Sequence, residues 1–252
     1  MSCLHDLKGL LPASMLDWPG KLCSVLFLGG CNFRCPYCHN PELVEGGGGE
    51  GALQWEDVAA FLEQRRGWID GVSITGGEPT LHADLPLLCL RIRKMGFAVK
   101  LDTNGSRPRM LRLLLEKGLV DFVAMDLKTS LERYPSLVRR PVDTGSIVES
   151  VEAILSSGVE HEFRCTVVPG CVDLDDLQSL ARLIEGSSGL VLQQFRPQNT
   201  LDPMFAEVRP YPDGVLRQWA EELSHTVPTR TRGLLGMGPA EREERQATPL
   251  RG

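Results

Sequence analysis

The chain predicts an α/β fold, a partial TIM-like barrel of six strand–helix units, (β/α)6, spanning residues 1–225. Three observations predict it. Six short apolar or β-branched runs alternate with amphipathic stretches of helical period, the pattern of a parallel sheet built from βα units. Most of the helical stretches run into a glycine, as at Gly96, Gly118 and Gly158, where a left-handed residue closes a last turn. At 252 residues there is length for one substantial core, and six units fall short of the eight that close a full barrel.

The first predicted strand, Leu22–Leu28, runs into a Gly29-Gly30 turn and a cysteine-bearing loop over residues 29–41. Gly46–Gly51 is almost all glycine and reads as a mobile loop. The helix at Trp55–Arg65 leads to the strand Val72–Thr75, and Leu85–Met95 to Ala98–Thr103. Met110–Lys117 leads to Asp121–Leu127, Ile147–Ser157 to Glu162–Val168, and Leu174–Ile184 to Leu190–Phe195. A last helix at Val215–Leu223 precedes residues 226–252, rich in Pro, Gly, Arg and Glu, which read as a disordered tail.

With 42% apolar and 24% charged residues the composition is that of an ordinary globular protein. A net charge of −6 offers no basic footprint, so nucleic acid is not an expected partner. The opening residues MSCLHDLKGLLPASM lack the basic start and unbroken apolar run of a signal peptide. No apolar run approaches the roughly 20 residues that span a bilayer. Reduced thiols, no export signal and no membrane segment predict a cytoplasmic protein.

Cys31, Cys35 and Cys38 place three thiols within eight residues on one loop. Three soft ligands there can hold three corners of an iron–sulfur cube and leave one iron open. With His39 they could instead form a Cys3His zinc site, although structural zinc sites usually draw ligand pairs from separate segments. A disulfide framework is less favoured still, since 8 cysteines in 252 residues is far below the density of a small stapled secreted domain. Cys3, Cys23, Cys89, Cys165 and Cys171 lack ligand-like spacing and read as small buried hydrophobes. Cys171, after a Pro169-Gly170 turn, is the one expected near the site.

Functional groups of a βα barrel collect at the C-terminal ends of its strands, and alternate side chains of a strand share a face. Val99 and Leu101 therefore face the helices, and Lys100, Asp102 and Asn104 face the barrel interior. By the same parity Asp126 and Lys128 face inward, as do Arg164 and Thr166. Three successive strands thus send charge to the mouth, where a purely structural barrel would place Val, Ile and Leu. In Thr75-Gly76-Gly77-Glu78-Pro79 the glycines let a ligand approach the backbone closely.

The Cys-x3-Cys-x2-Cys spacing, with Tyr37 before the third cysteine, resembles the radical S-adenosylmethionine (SAM) enzymes. From Asp17-Trp18-Pro19-Gly20 through Cys38-His39-Asn40-Pro41, the chain resembles their glycyl-radical-enzyme activating branch, most of all the activators of anaerobic ribonucleoside-triphosphate reductase. The resemblance covers residues 5–200. It implies a partial barrel of the radical SAM type. Cys31, Cys35 and Cys38 would hold a [4Fe–4S] cluster whose fourth iron binds SAM. Reduction by a low-potential donor such as flavodoxin or ferredoxin would cleave SAM to a 5′-deoxyadenosyl radical, which takes a hydrogen atom from a backbone glycine of a glycyl-radical enzyme. An oxygen-labile cluster implies an anaerobic setting.

Residue by residue, the resemblance implies that Gly76, Gly77 and Glu78 receive the SAM ammonium and Lys128 its carboxylate. Tyr37 and His39 would flank the adenine. Asp102 and Asp126, with Asn104 and backbone carbonyls nearby, would hold a monovalent cation; an internal ion pair of Asp102 with Lys128 that merely closes the barrel is the alternative. Asp17 and Arg164 would hold the incoming glycine loop. The chain departs from the pattern at Phe195-Arg196, where some activators carry histidine, and at Trp18, where many carry glycine. Two other functions stay open. One is a radical SAM enzyme acting on a small molecule, like a carboxy-deazaguanine synthase, with Gln193, Gln194 and Arg196 lining its pocket. The other is a non-catalytic zinc or cluster module.

Overall fold

The computed structural model describes residues 4, 6–45, 53–234 and 236. The glycine-rich loop expected at 46–51 lies outside the described residues, as do residues 237–252. The first strands are β1 (Leu7–Ser14) and β2 (Cys23–Leu28), followed by the short α1 (Pro41–Val44) and by α2 (Trp55–Glu63). Next come β3 (Gly71–Gly76), α3 (Leu85–Lys94), β4 (Ala98–Thr103), α4 (Pro108–Glu116) and β5 (Phe122–Asp126). Then follow α5 (Tyr134–Val138), α6 (Thr144–Ser157), β6 (Glu160–Val167), α7 (Leu174–Leu183), β7 (Leu190–Gln194), α8 (Asp213–Leu223) and β8 (Thr229–Arg232).

The strands form one sheet in chain order. β1 pairs antiparallel with β2, and every later neighbouring pair is parallel. The six parallel strands β2–β7 are those expected, with ends that agree to within two residues. An α/β partial barrel is therefore the fold.

Two edge strands lie outside the expectation. β1 carries Pro12 and no apolar alternation, and β8 reads Thr-Arg-Thr-Arg, so neither shows the apolar pattern of a core strand. β8 corrects the reading of a disordered tail from residue 226. Its Arg230 and Arg232 both pair with the buried Glu162 of β6, Arg232 at 3.1 Å. A buried carboxylate needs such partners, and they hold the last described segment on the sheet.

Two apolar clusters sit on opposite faces of the sheet. The larger fills the space between the sheet and its helices, with Val72, Ile74, Val99, Leu101 and Val123 against Leu88, Ile92, Leu111 and Val151. The smaller lies inside the barrel and comprises Trp18, Cys23, Val25, Phe122 and Ala124. The Trp18 ring abuts Gly71 and stands 6.1 Å from Phe122. It fills the floor at the N-terminal ends of the strands, which gives the departure at Trp18 a structural role. One level up, Val25, Ser73, Lys100 and Phe122 are in register across β2–β5. The barrel thus grades from an apolar floor to a charged mouth.

Candidate active site at the mouth of the barrel

A cavity of about 310 Å³ opens at the C-terminal ends of the strands. Every site residue proposed from the sequence for cofactor or metal lines it: Cys31, Cys35, Cys38, Tyr37, His39, Gly76, Gly77, Glu78, Asp102, Asn104, Asp126, Lys128 and Arg164. Asp17 does not. It sits in the β1–β2 hairpin turn, where it accepts a 2.5 Å hydrogen bond from Ser14, at the opposite end of β2 from the cysteines. Cys171 also lies off the cavity, while Thr129 donates to its carbonyl. Gln193 and Gln194 line the cavity, whereas Arg196 is exposed and does not.

The cysteine loop is held by its backbone. Gly30 N–H donates to Leu43 O at 2.7 Å and Cys31 N–H to Val44 O at 3.0 Å, which tethers the loop to α1. Arg34 N–H donates to Val138 O at 2.8 Å, and the Arg34 guanidinium donates to Cys31 O and Phe33 O. Beyond β7, Leu201 N–H reaches Cys38 O and Asp202 N–H reaches Pro36 O. The thiols are thereby fixed by main-chain bonds whatever they bind. Burial pushes the Cys31 thiol up to about 11 and the Cys35 thiol up to about 12. Three soft thiols on one loop facing one cavity suit an iron–sulfur group.

The glycine turn after β3 is fastened directly onto this loop. Gly77 N–H donates to Leu28 O at 2.8 Å and Glu78 N–H to Gly30 O at 2.7 Å. The contact leaves no room for side chains. A Cβ on Gly77 would sit 2.1 Å from Gly30 O, and one on Gly76, whose φ is +114°, 2.3 Å from Leu28 O.

Glu78 is buried, and its carboxylate is turned into the protein. It accepts from Thr103 Oγ1 at 2.7 Å, Asn104 N–H at 2.6 Å, Thr80 N–H at 3.1 Å and the Thr80 hydroxyl. Burial pushes its pKa up against the pull of these donors. Glu78 therefore ties the end of β3 to the end of β4, a role the turn motif alone does not reveal. His82, fully buried, hydrogen-bonds Gly29 O at 2.9 Å through Nε2 and completes the tie. His82, Thr103 and Asn32 are structural partners not legible in the sequence, because each acts on a residue of another unit, while Thr80 donates to Glu78 within its own turn. Asn104 turns its side chain onto Asn32 of the cysteine loop at 3.0 Å.

The inward charges of β4, β5 and β6 form one chain of ion pairs. Lys100 Nζ meets Asp102 Oδ1, and Arg164 Nη1 meets Asp102 Oδ2 at 3.1 Å. Arg164 Nε meets Asp126 Oδ1 at 2.7 Å, and Lys128 Nζ meets Asp126 Oδ2 at 3.1 Å. The internal pair weighed between Asp102 and Lys128 is thus made instead through Lys100 and Arg164. Burial opposes ionisation of both aspartates, but Arg164 and the adjacent lysines more than offset it and hold both carboxyls below their usual range. Burial likewise opposes the Lys128 charge, and Asp126 outweighs it and keeps the ammonium protonated. Every oxygen of the two carboxylates expected to hold a monovalent cation faces a protein cation.

Tyr37 is buried beneath the loop, with its hydroxyl unpartnered within the protein. The His39 ring stands 6.3 Å from that of Phe195, and burial lowers its basicity. Both present ring surface beside the third cysteine.

Comparison with known proteins matches residues 25–184 to the Radical SAM superfamily. The Methanocaldococcus jannaschii protein named "Putative glycyl-radical enzyme activating enzyme MJ1227" is 32% identical over 217 residues, covering 84% of this chain and 88% of the relative. The pyruvate formate-lyase 1-activating enzyme of Escherichia coli K12 is 31% identical over 185 residues, 70% of this chain and 73% of the relative. Among solved structures, Streptococcus suis SuiB bound to the precursor peptide SuiA superposes with a TM-score of 0.64 at 15% identity. That match covers 81% of this chain, which spans about half the length of SuiB (46%), and it shows the fold alone. A family match over most of the barrel, with the three thiols and the charged strand ends around one cavity, places the chain among the radical SAM enzymes, which use a [4Fe–4S] cluster and S-adenosylmethionine.

Proposed function

We propose that this radical SAM enzyme generates a glycyl radical on a partner enzyme, and that the partner is an anaerobic ribonucleoside-triphosphate reductase. The observation that carries the reading is the single cavity in which the cysteine loop, the Gly76-Gly77 turn and the ion-paired strand ends meet. Support for the partner class comes from the relatives named as activating enzymes. Support for the reductase comes from the resemblance of the cysteine segment.

Cys31, Cys35 and Cys38 would hold the cluster. When bound, the reduced cluster and SAM would supply one-electron reductive cleavage of the sulfonium C–S bond, with methionine as the leaving group, and thereby the power to take a hydrogen atom from the target glycine. The chain's own residues bind and orient. The Gly76 and Gly77 carbonyls accept from the methionine ammonium, while Glu78 holds their turn in place. Lys128 meets the methionine carboxylate as a point charge. Tyr37 and His39 pack beside the adenine. The apolar floor under the ion pairs keeps water from entering the reaction space from below. A low-potential flavodoxin or ferredoxin in the cytoplasm would deliver the electron. Among the described residues no helix is long and apolar enough to cross a membrane.

Lys128→Ala is expected to keep the full iron content and weaken SAM binding. A hydrogen bond to a charged group contributes about 1.5–3 kcal/mol, which corresponds to about 10- to 150-fold in the dissociation constant. Equilibrium dialysis with labelled SAM beside an iron assay reads both quantities. Unchanged affinity would remove Lys128 from the SAM site.

The function itself is tested by mixing the reduced protein, SAM and the anaerobic ribonucleotide reductase of the same organism. Electron paramagnetic resonance should show a glycyl-radical doublet that collapses toward a singlet when the glycine Cα carries deuterium. SAM cleavage without such a signal on any glycyl-radical enzyme of the organism would favour the small-molecule reading. Gln193 and Gln194 in the cavity and a 7-carboxy-7-deazaguanine synthase of Thermococcus kodakarensis, 31% identical over 170 residues, give that reading its footing.

A further inference from the structure

The ion pairs at the mouth have a geometry that a bound monovalent cation would disrupt. Asp126 and Arg164 are directly opposite in the β5–β6 register, and Asp102 is opposite Ala124 in the β4–β5 register. To reach Asp102, the Arg164 side chain crosses the whole of β5 above Ala124, whose methyl group leaves it room. The fork of the guanidinium then engages one oxygen of each carboxylate, Nε on Asp126 at 2.7 Å and Nη1 on Asp102 at 3.1 Å. Lys100 and Lys128 take the two outer oxygens. Three cations against two carboxylates leave the network with one surplus positive charge. An added ion would enter a site without anionic excess, among fixed like charges.

We infer that Arg164 is a built-in replacement for a monovalent cation: a positioning residue that bridges Asp102 and Asp126, aims Lys128 at the SAM carboxylate, and makes SAM binding independent of potassium and sodium. The inference rests on the reading of this cavity as the SAM site. Its physical basis is the covalent tether. A guanidinium carried by β6 arrives at both carboxylates when the sheet forms, while a free ion must be drawn from solution and stripped of water. The planar fork also fixes the two carboxylates relative to each other, which a point charge cannot do.

The test uses the full chain with its cluster reconstituted. SAM dissociation constants are measured in potassium, sodium and tetramethylammonium chloride at equal ionic strength. Agreement within about twofold is expected; tightening by about fivefold or more in potassium or sodium, the usual scale of an effector, would overturn the inference. A second readout needs no SAM. Thallium-205 resonance, with Tl⁺ as the probe, should give no potassium-displaceable bound signal in the unaltered protein. In Arg164→Met, SAM binding should weaken and recover with potassium, and the displaceable thallium signal should appear. Such a signal in the unaltered protein, or an Arg164→Met variant whose weak SAM binding ignores potassium, overturns the proposal. If Arg164→Met does not fold, the thallium spectrum of the unaltered protein decides. A protein that binds neither SAM nor thallium refutes the SAM-site reading and leaves the cation result standing.

Discussion

Replacing Cys31, Cys35 or Cys38 by alanine, one at a time, is expected to abolish iron–sulfur loading and SAM cleavage together. The three thiols share one loop and one cavity, and none of the other described cysteines lines it. Cys89 is buried on α3, and Cys165 faces the core beside the Lys128 carbonyl. A cluster with three protein ligands has no substitute when one is lost, so the expected loss is complete rather than graded. The loop itself should survive the changes, because its shape depends on bonds from Gly30, Cys31, Arg34, Leu201 and Asp202 main-chain N–H groups. Circular dichroism should therefore stay near that of the unaltered protein while the brown colour and its visible absorbance vanish. Cys89→Ala and Cys165→Ala should retain both colour and cleavage. Cleavage retained in any of the three loop variants would refute the ligand assignment.

Gly77→Ala is the second large effect expected, and it acts on folding. Its new Cβ would stand 2.1 Å from Gly30 O, a main-chain atom that cannot swing aside as a flexible side chain would. Relief requires the turn after β3 to part from the cysteine loop, which breaks Gly77 N–H to Leu28 O and Glu78 N–H to Gly30 O. Overpacking in well-packed sites costs about 1–3 kcal/mol, and two main-chain bonds at risk place this site at the upper end, about 3 kcal/mol. Urea unfolding of the unloaded protein gives the number directly. A loss under about 0.5 kcal/mol, the range of surface changes, would mean that the two loops are not joined in solution. Gly118→Ala is a contrast, since its Cβ meets nothing within 4 Å and only the left-handed backbone opposes it.

Much of the site could be read from residue order because it follows strand parity. Lys100, Asp102, Asp126, Lys128 and Arg164 each alternate with apolar neighbours, and one face of each strand must meet the helices. The cysteine loop could be read because spacing on one short segment fixes what the ligands can share. What parity cannot give is the partner across the barrel. It puts Arg164 inside without saying that the side chain spans β5 to reach Asp102. It does not reveal that Glu78 turns away from the mouth, because Thr103 and Asn104 lie on the next unit. The edge strands escaped for a different reason. β1 is held by main-chain pairing with Leu7 alone fully buried, and β8 by main-chain pairing and Glu162, so neither carries the alternating apolar face that a hydrophobic pattern can show.

The tryptophan-sealed floor shapes the electric field of the site as well as its volume. The chain as a whole is acidic, with a net charge of −6. The surplus positive charge of the mouth network, however, lies above Trp18, Val25, Phe122 and Ala124, a layer that polarises little. Field lines that cannot spread downward through such a medium leave through the open end. An anionic group in solution therefore meets attraction along that axis. Low polarisability beneath the network and water above it turn five paired side chains into a directed funnel for a carboxylate.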